Sequence, residues 1–402
     1  MHARARAVLP AVLLAALSWV PAFGDELTPE QWRQDLRFLA KELPRRHKNL
    51  FFQLPRAEFE RQVRELDASI PKLSEIEVRA ALVRLVASMG NAHTSINGFA
   101  DTPNFPLQFY VFPEGVYVTG APAGHAEALG ARLLAVNGTP VEEVWRRLLP
   151  YVAKENEGSA LAFVPDLLHT AAALKAAGII GAMDKAGFGL ELDGAKFALE
   201  LRSGKQFEMT WNLPGVKPPL YRSGPGLDYW FRYLANTKTM YVQYDACRNM
   251  KQQSFKKFTT EVMKAVDSAP VEKFAVDLRF NGGGNSQVIN PLIEALASRS
   301  RMRVYALVGQ RTFSSAFMTA MDLQKRCHAV LVGEAMGQRP NSYGNMRPLK
   351  LPNSGLTAYY CTKYFRLARG DPPMTQPDVP VTIKAADYFG GRDPVMEYVL
   401  SR

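Results

Sequence analysis

Residues 277–285 read Asp277-Leu278-Arg279-Phe280-Asn281-Gly282-Gly283-Gly284-Asn285. An apolar run at 274–278 leads into this stretch, and a helical pattern at 288–297 follows it. Three consecutive glycines let a backbone turn tightly and present bare N–H groups. Such groups suit an anion or the oxyanion of a reaction intermediate. Neither Gly-Lys-[Ser/Thr] nor G-x-G-x-x-G occurs here, which argues against a nucleotide-phosphate loop. Taken alone, the stretch reads as an ordinary glycine-rich turn about as readily as it reads as a functional loop.

The surrounding chain alternates. Strand patterns at 239–244, 274–278, 304–308 and 329–332 are separated by helical patterns at 254–266, 288–297 and 317–325. This order predicts parallel strands with crossover helices, whose sites lie at the carboxyl ends of the strands. A second loop at such an end is Thr312-Phe313-Ser314-Ser315-Ala316. Serine at a strand-to-helix turn has the placement of a nucleophile near a helix N-terminus, and equally that of a helix cap. A third feature, Gly90-Asn91-Ala92-His93-Thr94, ends a helical pattern far upstream. Its histidine gains meaning only if the fold brings it to the serine loop.

Together these segments resemble the C-terminal processing (tail-specific) serine peptidases, in particular their tricorn core and interphotoreceptor retinoid-binding protein-like branch. The stretch 277–284 is similar to that family's Asp-Leu-Arg-x-Asn-x-Gly-Gly motif. Residues 312–317 match its nucleophile turn, and Val332-Gly333-Glu334, Pro377-Asp378-Val379 and the Asp393-to-Leu400 end follow in family order. Asn91-Ala92-His93-Thr94 resembles the family's Asp-x-His-Thr segment. The resemblance implies Ser314 as nucleophile, with Ser315 one residue away as the alternative. It implies backbone N–H groups of Gly283 and Ser315 as the oxyanion hole, His93 as base and Asp371 as the acid orienting it. The lysine base of the processing peptidases is absent: Gln338 stands at that position, followed by Arg339, and neither accepts a proton at neutral pH. Histidine titrates near neutrality and suits the role. Phe317 stands where the family carries an acid.

The expected reaction is peptide-bond cleavage through an acyl-enzyme, on a peptide or protein substrate, with no cofactor. Gln338 and Phe317 keep open a second reading, a non-catalytic binder of peptide or apolar ligand on the same fold.

Upstream, Thr28-Pro29-Glu30-Gln31 is a capping box, and Trp32, Leu36, Leu39 and Leu43 recur at helical spacing. Ser74 and Glu77 open another helix, closed by Gly90. The middle of the chain shows short strand patterns, with a turn at Asn137-Gly138. The expected fold class is α/β: an N-terminal helical domain (25–104), a small β-rich, divergent PDZ-like domain (105–213) and a C-terminal crotonase/ClpP-like α/β domain with a mainly parallel sheet (214–402).

Residues 1–24 read as a secretory signal peptide: Arg4 and Arg6, an apolar run, then Ala22-Phe23-Gly24. Removing those 24 residues and two arginines from 402 residues at +11 leaves 378 at +9. The expected protein is exported, periplasmic or secreted, without a later membrane span. Its composition, 47% apolar and 22% charged, excludes fibrous and low-complexity classes. The basic residues lack an aromatic-basic nucleic-acid motif, and six scattered histidines give no metal spacing. Cys247, Cys327 and Cys361 allow at most one intrachain disulfide, with the pair undetermined. The sequence gives no sign of oligomeric state.

Overall fold

Helix α1 (Pro29–Arg46) begins with the expected capping box: Thr28 N–H donates to Gln31 Oε1 at 2.8 Å and Gln31 N–H to Thr28 Oγ1 at 3.3 Å. It packs with α2 (Arg56–Ser69) and α3 (Glu75–Ala87). Ser74 and Glu77 cap α3, with Ser74 N–H donating to Glu77 Oε2 at 2.8 Å. The chain then leaves α3 through Gly90 at φ +68°, a conformation that favours glycine. The turn 91–94 delivers the chain to β1 (Ser95–Ile96). This is a computed structural model, and it describes residues 26–402. The signal segment expected at 1–24 lies outside those residues. Among the described residues no helix is long and apolar enough to cross a membrane.

The middle region contains β2 (Gln108–Phe112), β3 (Gly115–Pro122), β4 (Arg132–Val136) and β5 (Thr139–Pro140). Next come helices α4 (Val141–Leu148), α5 (Glu157–Leu167) and α6 (Ala171–Ala176), then strands β6 (Lys185–Leu192), β7 (Ala195–Arg202) and β8 (Met209–Thr210). These strands form an antiparallel sheet of order β2-β3-β4-β6-β7, with β5 on β4 and β8 on β3. Asn137 and Gly138 both take positive φ in the β4–β5 turn. Helices α5 and α6 add to the sequence reading. Their alanine-rich, almost uniformly apolar stretch lacks a single stripe because it is buried nearly all round.

The C-terminal region runs β9 (Tyr229–Leu234), β10 (Thr239–Tyr244), α7 (Phe255–Asp267), β11 (Lys273–Asp277), α8 (Asn290–Ala297), β12 (Arg303–Val308), α9 (Ser315–Cys327) and β13 (Val330–Gly333). A hairpin of β14 (Asn341–Lys350) and β15 (Thr357–Arg366) follows, then β16 (Val379–Pro380), α10 (Ala385–Phe389) and α11 (Pro394–Leu400). The sheet order is β16-β13-β12-β11-β10-β9, parallel throughout except for the antiparallel edge strand β9. Strands β10 and β11 are buried along their whole length, as a sheet covered on both faces requires. Phe255, Phe258 and Val262 of α7 and Phe317 of α9 pack into the core on one face.

The β14–β15 hairpin leaves this sheet and pairs with β1. Its Leu349, Leu351, Leu356 and Ala358 complete the core of the helical unit with Trp32, Leu36, Leu39 and Leu82. The turn carrying His93 is therefore carried to the α/β unit by a hairpin from the opposite end of the chain. All three cysteines are buried and free, so none of the disulfides that the sequence allows is formed.

Candidate active site

The glycine loop and the serine loop leave adjacent strands and are tied together. Asn281 O accepts Phe313 N–H at 3.1 Å. Thr312 Oγ1 donates to Leu278 O at 2.8 Å and accepts Gly309 N–H at 3.0 Å. Beneath them Arg279 lies between two carboxylates, with Asp277 Oδ2 at 2.5 Å and Asp393 Oδ1 at 2.8 Å, all three nearly excluded from solvent. The Asp-Leu-Arg part of the motif thus anchors the base of the loop instead of facing a substrate. Asp393 also caps α11 through Met396 N–H at 3.1 Å.

Ser314 sits at the start of α9 with φ 57° and ψ −123°, a strained conformation for a residue bearing Cβ. Gly283, at φ +108°, makes this possible: a Cβ there would lie 2.6 Å from Ser314 Cβ and 2.9 Å from Ser315 N. The Ser314 N–H donates to Gln338 Oε1 at 2.6 Å. The two serines of the turn differ. Ser315 Oγ donates to Gly284 O at 2.7 Å, whereas the Ser314 hydroxyl has no partner among the described residues. The Ser315 N–H is the first of α9 and has no intrahelical acceptor. The Gly283 N–H donates to Asn281 Oδ1 at 2.9 Å and is already engaged.

His93 lines the same cavity as Ser314, about 370 Å³ in volume, together with Gln338, Gly284 and Tyr343 and Met346 of the β14–β15 hairpin. The imidazole stacks on Phe313, with ring centroids 4.6 Å apart at 20°. Phe163 of α5 meets the same phenyl ring edge-on. His93 is 5% exposed, its buried Nδ1 has no hydrogen-bond partner among the described residues, and burial pulls its pKa down to about 4. The ring is neutral at physiological pH. The described structure contains no hydrogen bond between it and Ser314; in unliganded active sites such bonds often form only with substrate.

Asp371 does not reach His93. It is exposed and paired with Arg339 Nη2 at 2.7 Å. Gly370 precedes it at φ +73° and prolines follow, which makes 370–373 a surface turn. The carboxylate beside the histidine turn is instead Glu155, 7% exposed. Its Oε1 accepts from Ala92 N–H at 2.9 Å, Asn91 Nδ2 at 3.0 Å and Ser342 Oγ at 3.0 Å, and its Oε2 from Arg339 N–H at 3.1 Å. Burial pushes this carboxyl upward, opposed by the same donors. Glu155 thereby joins the residue before His93, the residue after Gln338 and the start of β14. In the sequence it stands in Lys154-Glu155-Asn156-Glu157, where nothing separates it from a solvated charge run. Among the described residues no three His, Cys, Asp or Glu side chains group as a metal site would.

No family model and no curated protein matches the chain. Among solved structures, mature CPAF complexed with lactacystin is similar with a TM-score of 0.67 at 12% identity, over 93% of this chain and 97% of that one. Mature CPAF alone gives a TM-score of 0.65 at 12% identity, over 93% and 96%. The photosystem II D1 C-terminal processing protease aligns over 91% of this chain and 98% of its own, at 15% identity and a TM-score of 0.44. The likeness to mature CPAF is one of fold, and the fold here is N-terminal helices, an antiparallel sheet and a mostly parallel sheet.

Proposed function

We propose that this protein is an exported serine-type peptidase that cleaves peptide bonds through an acyl-enzyme, with His93 as the base. The observation that carries this reading is Ser314: a strained serine with an unpartnered hydroxyl, at the N-terminus of a 13-residue helix, in one cavity with a neutral imidazole. In the proposed reaction Ser314 Oγ attacks the scissile carbonyl carbon as its proton passes to His93. Negative charge on the carbonyl oxygen meets the Ser315 N–H and the positive end of α9. The C–N bond then breaks, and the amine leaves with the proton held by the imidazolium. Water, deprotonated by His93, hydrolyses the ester and restores Ser314. Gly283 contributes first by leaving room for Ser314. Its N–H joins the oxyanion hole only on exchanging Asn281 for the substrate oxygen. Glu155 takes the place that the sequence reading gave to Asp371, acting on the histidine turn and not on the ring. The antiparallel middle sheet would serve as the divergent PDZ-like module of such a peptidase.

A fluorophosphonate probe tests this. Wild-type protein is expected to label at a single site, and Ser314→Ala and His93→Ala to abolish labelling while circular dichroism stays unchanged. Labelling that survives Ser314→Ala sinks the assignment. The unpaired Nδ1 of His93 favours the second reading, a binder without catalysis; it gains if folded wild-type protein never labels and yet binds peptide.

A further inference from the structure

We propose that a second cavity, between the middle sheet and the carboxyl ends of β11–β13, binds a small apolar molecule carrying a single anionic head group. The cavity is about 280 Å³ and shares no lining residue with the one that holds Ser314. Crevices at the carboxyl ends of parallel strands are where such sheets bind ligands. Its walls are aromatic: Phe109 and Tyr110 from β2, Trp211, Tyr221, Phe280 and Tyr388. Two of these remain open to water, Trp211 at 51% and Phe280 at 40% exposure. Large apolar side chains left exposed around one concavity point to an occupant.

The charge of that occupant follows from three lining arginines. Arg279 is held between Asp277 and Asp393, and Arg311 is forked onto Asp166 at 2.6 and 3.3 Å. Arg222 has only neutral partners. Its Nη1 donates to Tyr388 O at 2.7 Å, and its Nη2 to Trp211 O at 3.0 Å and Asn212 Oδ1 at 2.9 Å, while the guanidinium stacks 3.8 Å over the Tyr388 ring. Among the described residues no carboxylate lies within 4.0 Å of it. These three bonds fix the guanidinium and leave two of its five N–H groups for a ligand. The lining carboxyl, Glu334, is turned to protein donors, Tyr110 OH at 2.6 Å and Gln310 Nε2 at 3.3 Å, one on each oxygen. A fixed cation without a counter-charge, framed by Trp211 and Tyr388, fits one anionic group joined to an aromatic or aliphatic body.

The probe is 8-anilinonaphthalene-1-sulfonate, titrated into the folded protein and followed by its emission and by tryptophan quenching. One saturable site is expected. Arg222→Gln and Trp211→Ala should each weaken it about tenfold or more. The uncharged analogue N-phenyl-1-naphthylamine should bind the wild type about tenfold more weakly. Trp211→Ala removes a half-exposed side chain, which keeps the test decisive if Arg222→Gln fails to fold. Absence of saturable binding, equal affinity for the uncharged analogue, or undiminished binding in Trp211→Ala would overturn the proposal. Labelling of Ser314 is a separate readout, so failure here leaves the peptidase reading standing, and the converse holds.

Discussion

The serine side and the histidine side of the site are built by different means. Ser314 is held by neighbours: the glycine loop is one strand away, bonds through Asn281, Thr312 and Ser315 tie the two loops, and Gly283 packs closely against Ser314. His93 is held from a distance. Its turn hangs on Glu155 from the middle region and on a hairpin from the far end of the chain, and the ring itself stacks on Phe313. The proposed nucleophile is thus preformed by local sequence, whereas the proposed base is in place only when three regions have assembled. Damage to the first should be severe and local. Damage to the second should spread through stability and position.

The sharpest way to break this contrast is Gly283→Ala. The added Cβ meets Ser314 Cβ at 2.6 Å on a backbone at φ +108°. We expect a loss of about 3 kcal/mol in stability and no Ser314 labelling. Near-normal labelling would show that the serine turn does not depend on its glycine neighbour. Next in size is Glu155→Ala, which strands four donors in a buried site. It should cost about 2–3 kcal/mol in urea unfolding and slow labelling more than about tenfold. Glu155→Gln keeps the shape but turns an amide toward a donor, and should fall between that variant and the wild type. If both label like wild type, Glu155 does not position His93.

Acidification should reach the histidine side first. Burial alone takes His93 from 6.5 to about 4, so between those values the unfolded chain binds the proton and the folded chain does not. The contribution is fully retained above about pH 6.5 and is lost as pH falls toward 4, amounting to about 3 kcal/mol. Urea midpoints at pH 7 and 4.5 should lose this part of their difference in His93→Gln. The acid limb of the labelling rate should lie near 4; a limb near 6.5 would mean that the ring is more hydrated than its burial indicates. The smallest effect belongs to Asp371→Ala. Removing an exposed partner of Arg339 should change stability by less than about 1 kcal/mol and leave labelling unaltered. Loss of labelling would return to Asp371 the orienting role that the family resemblance suggested.

These outcomes match what was legible in the chain. The α/β strands announce themselves because both faces are buried, and observed limits such as Lys273–Asp277 and Arg303–Val308 fall within a residue of the apolar runs. That His93 and Ser314 line one cavity was suggested by the family resemblance of their segments. Three things were not. The hairpin of β14 and β15 mixes Arg347, Pro348 and Lys350 with apolar residues because one face alone is covered, and by the helical unit rather than by its own sheet. Glu155 carries no local signal, since its partners come from residues 91–92, 339 and 342. Asp371 rests on the family resemblance, which does not reveal that Arg339, two positions before the hairpin, pairs with it on the surface.

The hairpin also sets an order in time. Leu349, Leu351, Leu356 and Ala358 are the last parts of the helical unit's core to be synthesised, although its helices are the first. Until they arrive, the early helices have an unfilled apolar face and the histidine turn lacks both β15 and Ser342. A chain cut before residue 341 therefore lacks the hairpin that holds the histidine turn and also Asp393, one of the two carboxylates that hold Arg279 beneath the serine loop. If the site is hydrolytic as proposed, long-range topology acts as a built-in delay: the complete site appears only once nearly the whole chain has been made.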